Sequence, residues 1–206
     1  MESKAGTTHA SAERSYSQDH LRRRMRRRRS AESTSEASEP RMFWGYDISP
    51  QALELARSRA NEKLHFELSD FRTENDVVFD LMLVLDVVEH LENYWSFLRH
   101  LKATSGYKIF HIPLDLSVQT VFRQNALLKR RDLYAHLHYF TKETALRMLS
   151  DAGYEILDYF YTPRSIEFAS GFNELLLKLP RMLCFAIHKD FAARLLGGFS
   201  LLVLAR

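Results

Sequence analysis

The sequence predicts an α/β fold: a largely parallel sheet with helices on both faces, spanning residues 42–206 behind a disordered tail. Three observations predict it. Short apolar runs alternate with segments of helical period along the body. One run, Val77 to Leu85, is apolar almost throughout and interrupted by Asp80, as suits a parallel strand covered on both faces. Composition also changes abruptly near residue 41. The first forty residues hold nine apolar side chains, with nine Lys/Arg against six Asp/Glu, whereas the body carries 20 of each sign. Such a segment cannot bury enough apolar surface to offset its ordering entropy, so residues 1–41 read as tail and 42–206 as domain.

Met42 to Ile48 is a short aromatic-rich run and predicts a buried strand. Ser49-Pro50 then starts a helix, Ser as N-cap and Pro at the first turn, with Ala52, Leu53, Leu55, Ala56 and Ala60 as its apolar face. Leu64 to Leu68 alternates and predicts a second strand ending near Asp70. Val77 to Leu85 is the third. Tyr94, Trp95, Phe97, Leu98 and Leu101 fall at helical spacing. Tyr107 to Ile112 predicts the fourth strand, stopped by Pro113. Thr141 caps a helix that buries Ala145, Leu146, Met148, Leu149 and Ala152, and Gly153 ends it. Tyr154 to Tyr161 and Phe199 to Leu204 predict the last two strands. Residues 114–140 and 162–197 are the least patterned parts of the body.

Composition excludes several classes. A single cysteine, Cys184, rules out a disulfide framework and points to a reducing compartment, hence a cytoplasmic protein. No uncharged apolar run reaches the roughly 18 residues of a membrane span, and the N-terminus lacks the apolar stretch of a secretory signal. In the tail, Arg22 to Arg29 holds seven arginines in eight positions. That run can pair with phosphates, so nucleic acid is a partner only through it. No aromatics interleave the arginines, and base stacking is not indicated. Nothing in the sequence sets the oligomeric state.

In parallel sheets ligands sit beyond the carboxyl ends of the strands. Three acids stand at three successive predicted strand ends: Asp47, Asp70 and Asp86. Each alone reads equally well as a cap or turn residue. Together they suit a polyhydroxy, nitrogenous ligand, with one carboxylate accepting ribose hydroxyls and another an exocyclic amine.

At this point the chain resembles a known family. Gly45-Tyr46-Asp47-Ile48-Ser49-Pro50, Leu68-Ser69-Asp70-Phe71, and the run from Phe79 to Asp86-Val87-Val88-Glu89-His90-Leu91 are similar to blocks of the class I S-adenosylmethionine-dependent methyltransferases. So are Tyr139-Phe140-Thr141 and Asp151-Ala152-Gly153-Tyr154. The small-molecule type, which includes the ubiquinone-biosynthesis O-methyltransferases, fits best. The resemblance implies a Rossmann-like sheet in the order 3-2-1-4-5-7-6, its last strand antiparallel, with the six strands above as strands two to seven. It implies S-adenosylmethionine as cofactor and a small-molecule acceptor. Asp47, with Ile48, would hold the ribose; Asp70 and Phe71 the adenine; Leu85 and Asp86 the methionine end. The chain departs from the family in one respect. The first, central strand and its Gly-x-Gly-x-Gly loop have no counterpart, since Gly6 alone precedes Gly45 and no Gly-x-Gly occurs.

Asp86, Glu89 and His90 stand at i, i+3 and i+4, with His111, His136 and His138 further on. A divalent ion could be held by such a set, but the reading adopted is a metal-free site. His90 and His138 are the candidate bases, imidazole being the side chain suited to general-base work near neutral pH. The leading expectation is thus methyl transfer from S-adenosylmethionine. The alternatives are a non-catalytic, truncated or decayed interaction module, and nucleic-acid association through the tail.

Overall fold

The structure, a computed structural model, describes residues 41–71, 78–163 and 183–206. The tail, Val77 and the Arg22–Arg29 run lie outside them. The chain divides into two compact units, Met1–Ser69 and Asp70–Arg206.

In the first unit, β1 (Phe43–Asp47) and β2 (Leu64–Leu68) pair in parallel, Phe43 opposite Leu64 and Asp47 opposite Leu68. The crossover is α1 (Pro50–Arg57), and it starts as the sequence predicts: the Ser49 hydroxyl accepts from the Ala52 N–H and Pro50 occupies the first turn. Leu53 is its buried residue. Gly45 allows a close approach, because a Cβ there would meet the Phe66 ring at 2.7 Å.

The second unit is a four-stranded sheet in the order β3-β4-β6-β5. The strands are β3 (Phe79–Leu85), β4 (Ser105–Leu114), β5 (Ile156–Pro163) and β6 (Phe199–Ala205). β3 and β4 run parallel, while β6 lies antiparallel between β4 and β5. The described strands thus form two sheets, a parallel pair and a four-stranded sheet of mixed pairing, so a single mostly parallel sheet is met only in part; the antiparallel strand is the one the resemblance implied.

Side chains alternate along a strand, and one face of this sheet carries the core. Val84, Phe110, Ile112, Leu201 and Val203 pack there against Phe97, Leu98 and Leu101 of α2 (Tyr94–Lys102) and Ala145, Met148 and Leu149 of α5 (Lys142–Asp151). On the other face Leu81, Leu83, Leu85, Tyr107 and Phe160 are exposed, Leu83 by 58%. Helices on both faces are thus not what the described residues of this unit show. The segment 114–140, which looked unpatterned, contains α3 (Val118–Phe122) and α4 (Ala126–Tyr134). Neither buries a side chain, so neither leaves an apolar period in the sequence. A last helix, α6 (Lys189–Leu196), packs Ala192 and Ala193 on Phe199.

Pro113 does not stop β4 as expected; it pairs opposite Ser200. His111 turns its carbonyl to the β3 side, accepting from the Asp86 N–H at 3.1 Å. Pro113 has the same parity, so its missing N–H faces a point where β3 has already ended. Gly153 ends α5 with φ 92°, as predicted.

A polar tie joins α5, α6 and β5. Lys142 pairs with Asp190, Tyr161 donates its hydroxyl to Asp190 Oδ1 at 2.5 Å, and Arg194 donates to Glu143 Oε1 at 2.6 Å. The hydrogen bonds from Lys142 and Tyr161 hold the Asp190 carboxyl below its ordinary range. A lowered carboxyl pKa adds stability above the unfolded value of about 4, and loses it as pH falls through the folded value. Thermal midpoints followed from neutrality into acid are expected to drop in that window. In Asp190→Asn the drop should be shallower; an unchanged acid limb would remove Asp190 as its source.

Candidate active site

The second unit gathers its polar side chains at the carboxyl end of β3. Asp86, the first residue past that strand, has φ 51°, a left-handed conformation that costs a residue with a Cβ. Its neighbours hold it there. The Asp86 N–H donates to the His111 carbonyl, and Asp86 Oδ1 lies 2.9 Å from His111 Nδ1. A carboxylate only accepts, so His111 Nδ1 carries the proton. In the neutral ring, Nε2 then accepts from Thr162 Oγ1, 3.1 Å away on β5.

A 3₁₀ turn, Val88–His90, follows. Four hydrogen bonds lace it to the segment 135–138. The Glu89 carbonyl accepts from the N–H groups of Leu137 at 2.7 Å and His138 at 3.1 Å. His90 Nδ1 stands 3.2 Å from the Ala135 carbonyl, and His138 Nε2 stands 2.9 Å from the Leu91 carbonyl. Carbonyls accept, so both nitrogens carry protons. Ala135 reaches this position with φ 56°.

The lacing brings Glu89 and His136 into the interior, exposed by 0% and 1%. Asp115, also buried, anchors the histidine: its Oδ2 is 2.5 Å from His136 Nδ1 and its Oδ1 is 2.9 Å from Arg130 Nη1. The guanidinium of α4 pairs with one carboxylate oxygen, and the other accepts from the His136 ring, which places the His136 proton on Nδ1. Glu89, His90 and His136 each place one potential ligand atom within 4.8 Å of the others. Beside α3 and α4, an open groove of about 510 Å³ is lined by Thr120, Arg123, Gln124, Lys129, Arg130 and Tyr134.

The residues singled out in the sequence divide between the units. Asp47 and Ile48 belong to the first. Asp47 Oδ1 accepts from the Ser49 N–H at 2.8 Å, so the turn-residue reading of this carboxylate is realised, and the side chain stays exposed. Ile48 is exposed as well. Asp70 and Phe71 open the second unit, where Phe71 packs against the main core, with Phe79 and His100 as ring neighbours. Leu85 is exposed and Asp86 is tied to His111. His90 and His138 come together on the laced turn; His138 packs edge-on against Tyr94 at 4.7 Å. Sequence reasoning missed Asp115, Arg130 and Thr162 as parts of this constellation. The one usable signal was Asp115's place just after β4, where strand-end carboxylates gather.

The family model described as a methyltransferase domain matches residues 32–159. Among solved structures, the chain is similar to an S-adenosylmethionine dependent methyltransferase from Mesorhizobium loti, at 18% identity and TM-score 0.50, covering 80% of each chain. It is also similar to the 4+2 cyclase SpnF, at 17% identity and TM-score 0.51, covering 81% of this chain and 66% of that one. A magnesium protoporphyrin IX methyltransferase from Synechocystis PCC 6803, solved with bound SAH, matches at 16% identity and TM-score 0.49. That match covers 80% of this chain, which spans 63% of the other's length. No curated protein matches the sequence at a significant level. Among the described residues no helix is long and apolar enough to cross a membrane.

Proposed function

The chain belongs to the methyltransferase-domain family, and from that premise we propose that residues 42–206 transfer a methyl group from S-adenosylmethionine to a small-molecule acceptor in the cytoplasm. The match over residues 32–159 carries the reading. Strand order supports it: β3-β4-β6-β5 with β6 antiparallel is the 4-5-7-6 run of the class I fold, and the parallel β1-β2 pair is its 2-3 run. We read the family's first strand and Gly-rich loop as lacking here; neither has a counterpart among the described residues. The Asp86 to Leu91 block favours the small-molecule type that includes the ubiquinone-biosynthesis O-methyltransferases.

The carboxylates fit the cofactor's polar groups. Asp47 is exposed at the end of its strand with one oxygen engaged by a backbone N–H, which leaves acceptor capacity for ribose hydroxyls. Asp47 and Ile48 are assigned to the ribose, Asp70 and Phe71 to the adenine, Leu85 and Asp86 to the methionine end, each on its motif position. When bound, the cofactor supplies an electrophilic methyl group. His90 or His138 takes the proton that the acceptor atom gives up. Alignment of donor and acceptor supplies most of the rate.

Calorimetric titration of the 206-residue chain with S-adenosylhomocysteine tests this. Binding in the micromolar range is expected, weakened about tenfold or more by Asp70→Ala, since a carboxylate hydrogen bond is worth about 1.5–3 kcal/mol. A folded chain that binds nothing would instead support the second reading, a non-catalytic interaction module. The absence of any Gly-x-Gly from the sequence favours that reading, because the family's loop lets backbone approach the cofactor closely. A role for Arg22–Arg29 in nucleic-acid binding predicts salt-sensitive association that vanishes when residues 1–40 are removed.

A further inference from the structure

We propose that the groove beside α3 and α4 is a binding site for a small phosphomonoester with an apolar body. Charge points there first. Residues 118–134 hold Arg123, Lys129, Arg130 and Arg131 against Asp132 alone, a net of +3. Residues 41–206 as a whole carry 20 charges of each sign, so the rest of the body nets −3 and the excess positive charge is gathered on this one segment. Of the cations that line the groove, Arg130 is already matched, its Nη1 lying 2.9 Å from the buried Asp115 carboxylate. Among the described residues Arg123 and Lys129 form no ion pair. Gln119, with its amide oxygen turned to the guanidinium, accepts from Arg123 Nη2 at 3.0 Å, which leaves the charge in place. The groove therefore offers two uncompensated positive charges. A phosphomonoester brings about −1.5 to −2 at neutral pH and three acceptor oxygens, whereas a carboxylate brings a single charge.

The shape of the groove suits such a ligand. Ala126, Lys129, Arg130, Leu133 and Tyr134 stand at i, i+3, i+4, i+7 and i+8, one stripe of α4. Since α4 buries no side chain, core packing does not account for that stripe. Its cations precede Leu133 and Tyr134, and Arg123 adjoins its N-terminal end. The guanidinium fork and the lysine point charge can therefore take the phosphate at one end. Leu133 and Tyr134, both exposed, offer the apolar body a surface at the other. A volume of about 510 Å³ falls within the roughly 300–1,000 Å³ of small-molecule sites. The wall is anchored: Asp115 holds Arg130, and the Tyr134 ring lies 5.9 Å from that of His136. Tyr134 also precedes Ala135, whose carbonyl holds the His90 ring, so the groove adjoins the laced turn. That the bound ester is the methyl acceptor rests on the methyltransferase reading; its binding does not.

The test is a chemical-shift titration of the full chain with phenyl phosphate at neutral pH, with benzoate as the singly charged control. Saturable binding with a Kd of about 1 mM or below is expected, with the shifts centred on residues 120–134. Benzoate should bind at least about tenfold more weakly, and Arg123→Gln and Lys129→Gln should each lose about tenfold, the weight of one charge-assisted hydrogen bond. Both side chains are exposed, so the variants keep the fold, and matching thermal midpoints check that. A folded chain without saturable binding would overturn the proposal. So would equal affinity for benzoate, or binding that both substitutions leave unchanged, as pairing with Arg22–Arg29 would. Attachment to phosphatidylglycerol vesicles without binding of phenyl phosphate would overturn it too, and would make this segment a membrane-facing surface. The titration contains no methyl donor, so its failure leaves the methyltransferase reading standing, and the reverse holds as well.

Discussion

Asp115→Ala is expected to destabilise the chain by about 3–5 kcal/mol, the cost of removing one partner from a buried ion pair. The carboxylate is 4% exposed and serves two groups, His136 at 2.5 Å and Arg130 at 2.9 Å. Truncation leaves a buried imidazole N–H without its acceptor. Arg130 is partly exposed and can turn to water, which places the expected cost toward the lower end. Equilibrium denaturation in urea measures it. Asp115→Asn, which keeps an acceptor oxygen, should cost less. A loss below about 1 kcal/mol in the alanine variant would mean that water replaces the carboxylate, and that Asp115 does not fix the His136 ring.

Phe110→Ala should cost as much, about 3–5 kcal/mol. Its ring is fully buried at the middle of β4, edge-on to Tyr154 at 5.1 Å, in the layer between the sheet and helices α2 and α5. Removing it takes away both transfer free energy and the contacts of the surrounding residues. An ordinary domain has about 5–15 kcal/mol in all, so the variant is expected to approach its unfolding transition in mild denaturant. A small change would show that the helices settle onto the sheet and close the cavity.

The sheet was readable because its strands are apolar runs that little else in the chain imitates. Val84 and Leu85 announce β3, and Leu201 to Leu204 announce β6. Their pairing was not readable from period or composition: nothing in Phe199–Ala205 says that the strand runs antiparallel between β4 and β5, and only the family resemblance supplied that. Helix α5 was legible through its cap and its buried Ala145, Met148 and Leu149. Helices α3 and α4 were not, because a helix that buries nothing leaves no stripe. The site followed the same division. Glu89, His90 and His138 drew notice through their block and their chemistry. Asp115 did not, because a single carboxylate after a strand looks like any turn residue until Arg130 and His136 are brought back to it by the intervening chain.

The place of β6 sets the timing of folding. A chain is made from its N-terminus at about 5–20 residues per second. β5 therefore leaves the ribosome roughly 2–7 s, and β4 roughly 4–17 s, before the strand that must lie between them. Through that interval each presents an unsatisfied row of N–H and C=O groups, the kind of edge that captures strands from other chains. The sheet cannot be zipped progressively as it is synthesised; its interior ladder closes only when Phe199 to Ala205 arrive. The hazard for the nascent chain is thus one of order, and it would persist however well the finished core is packed.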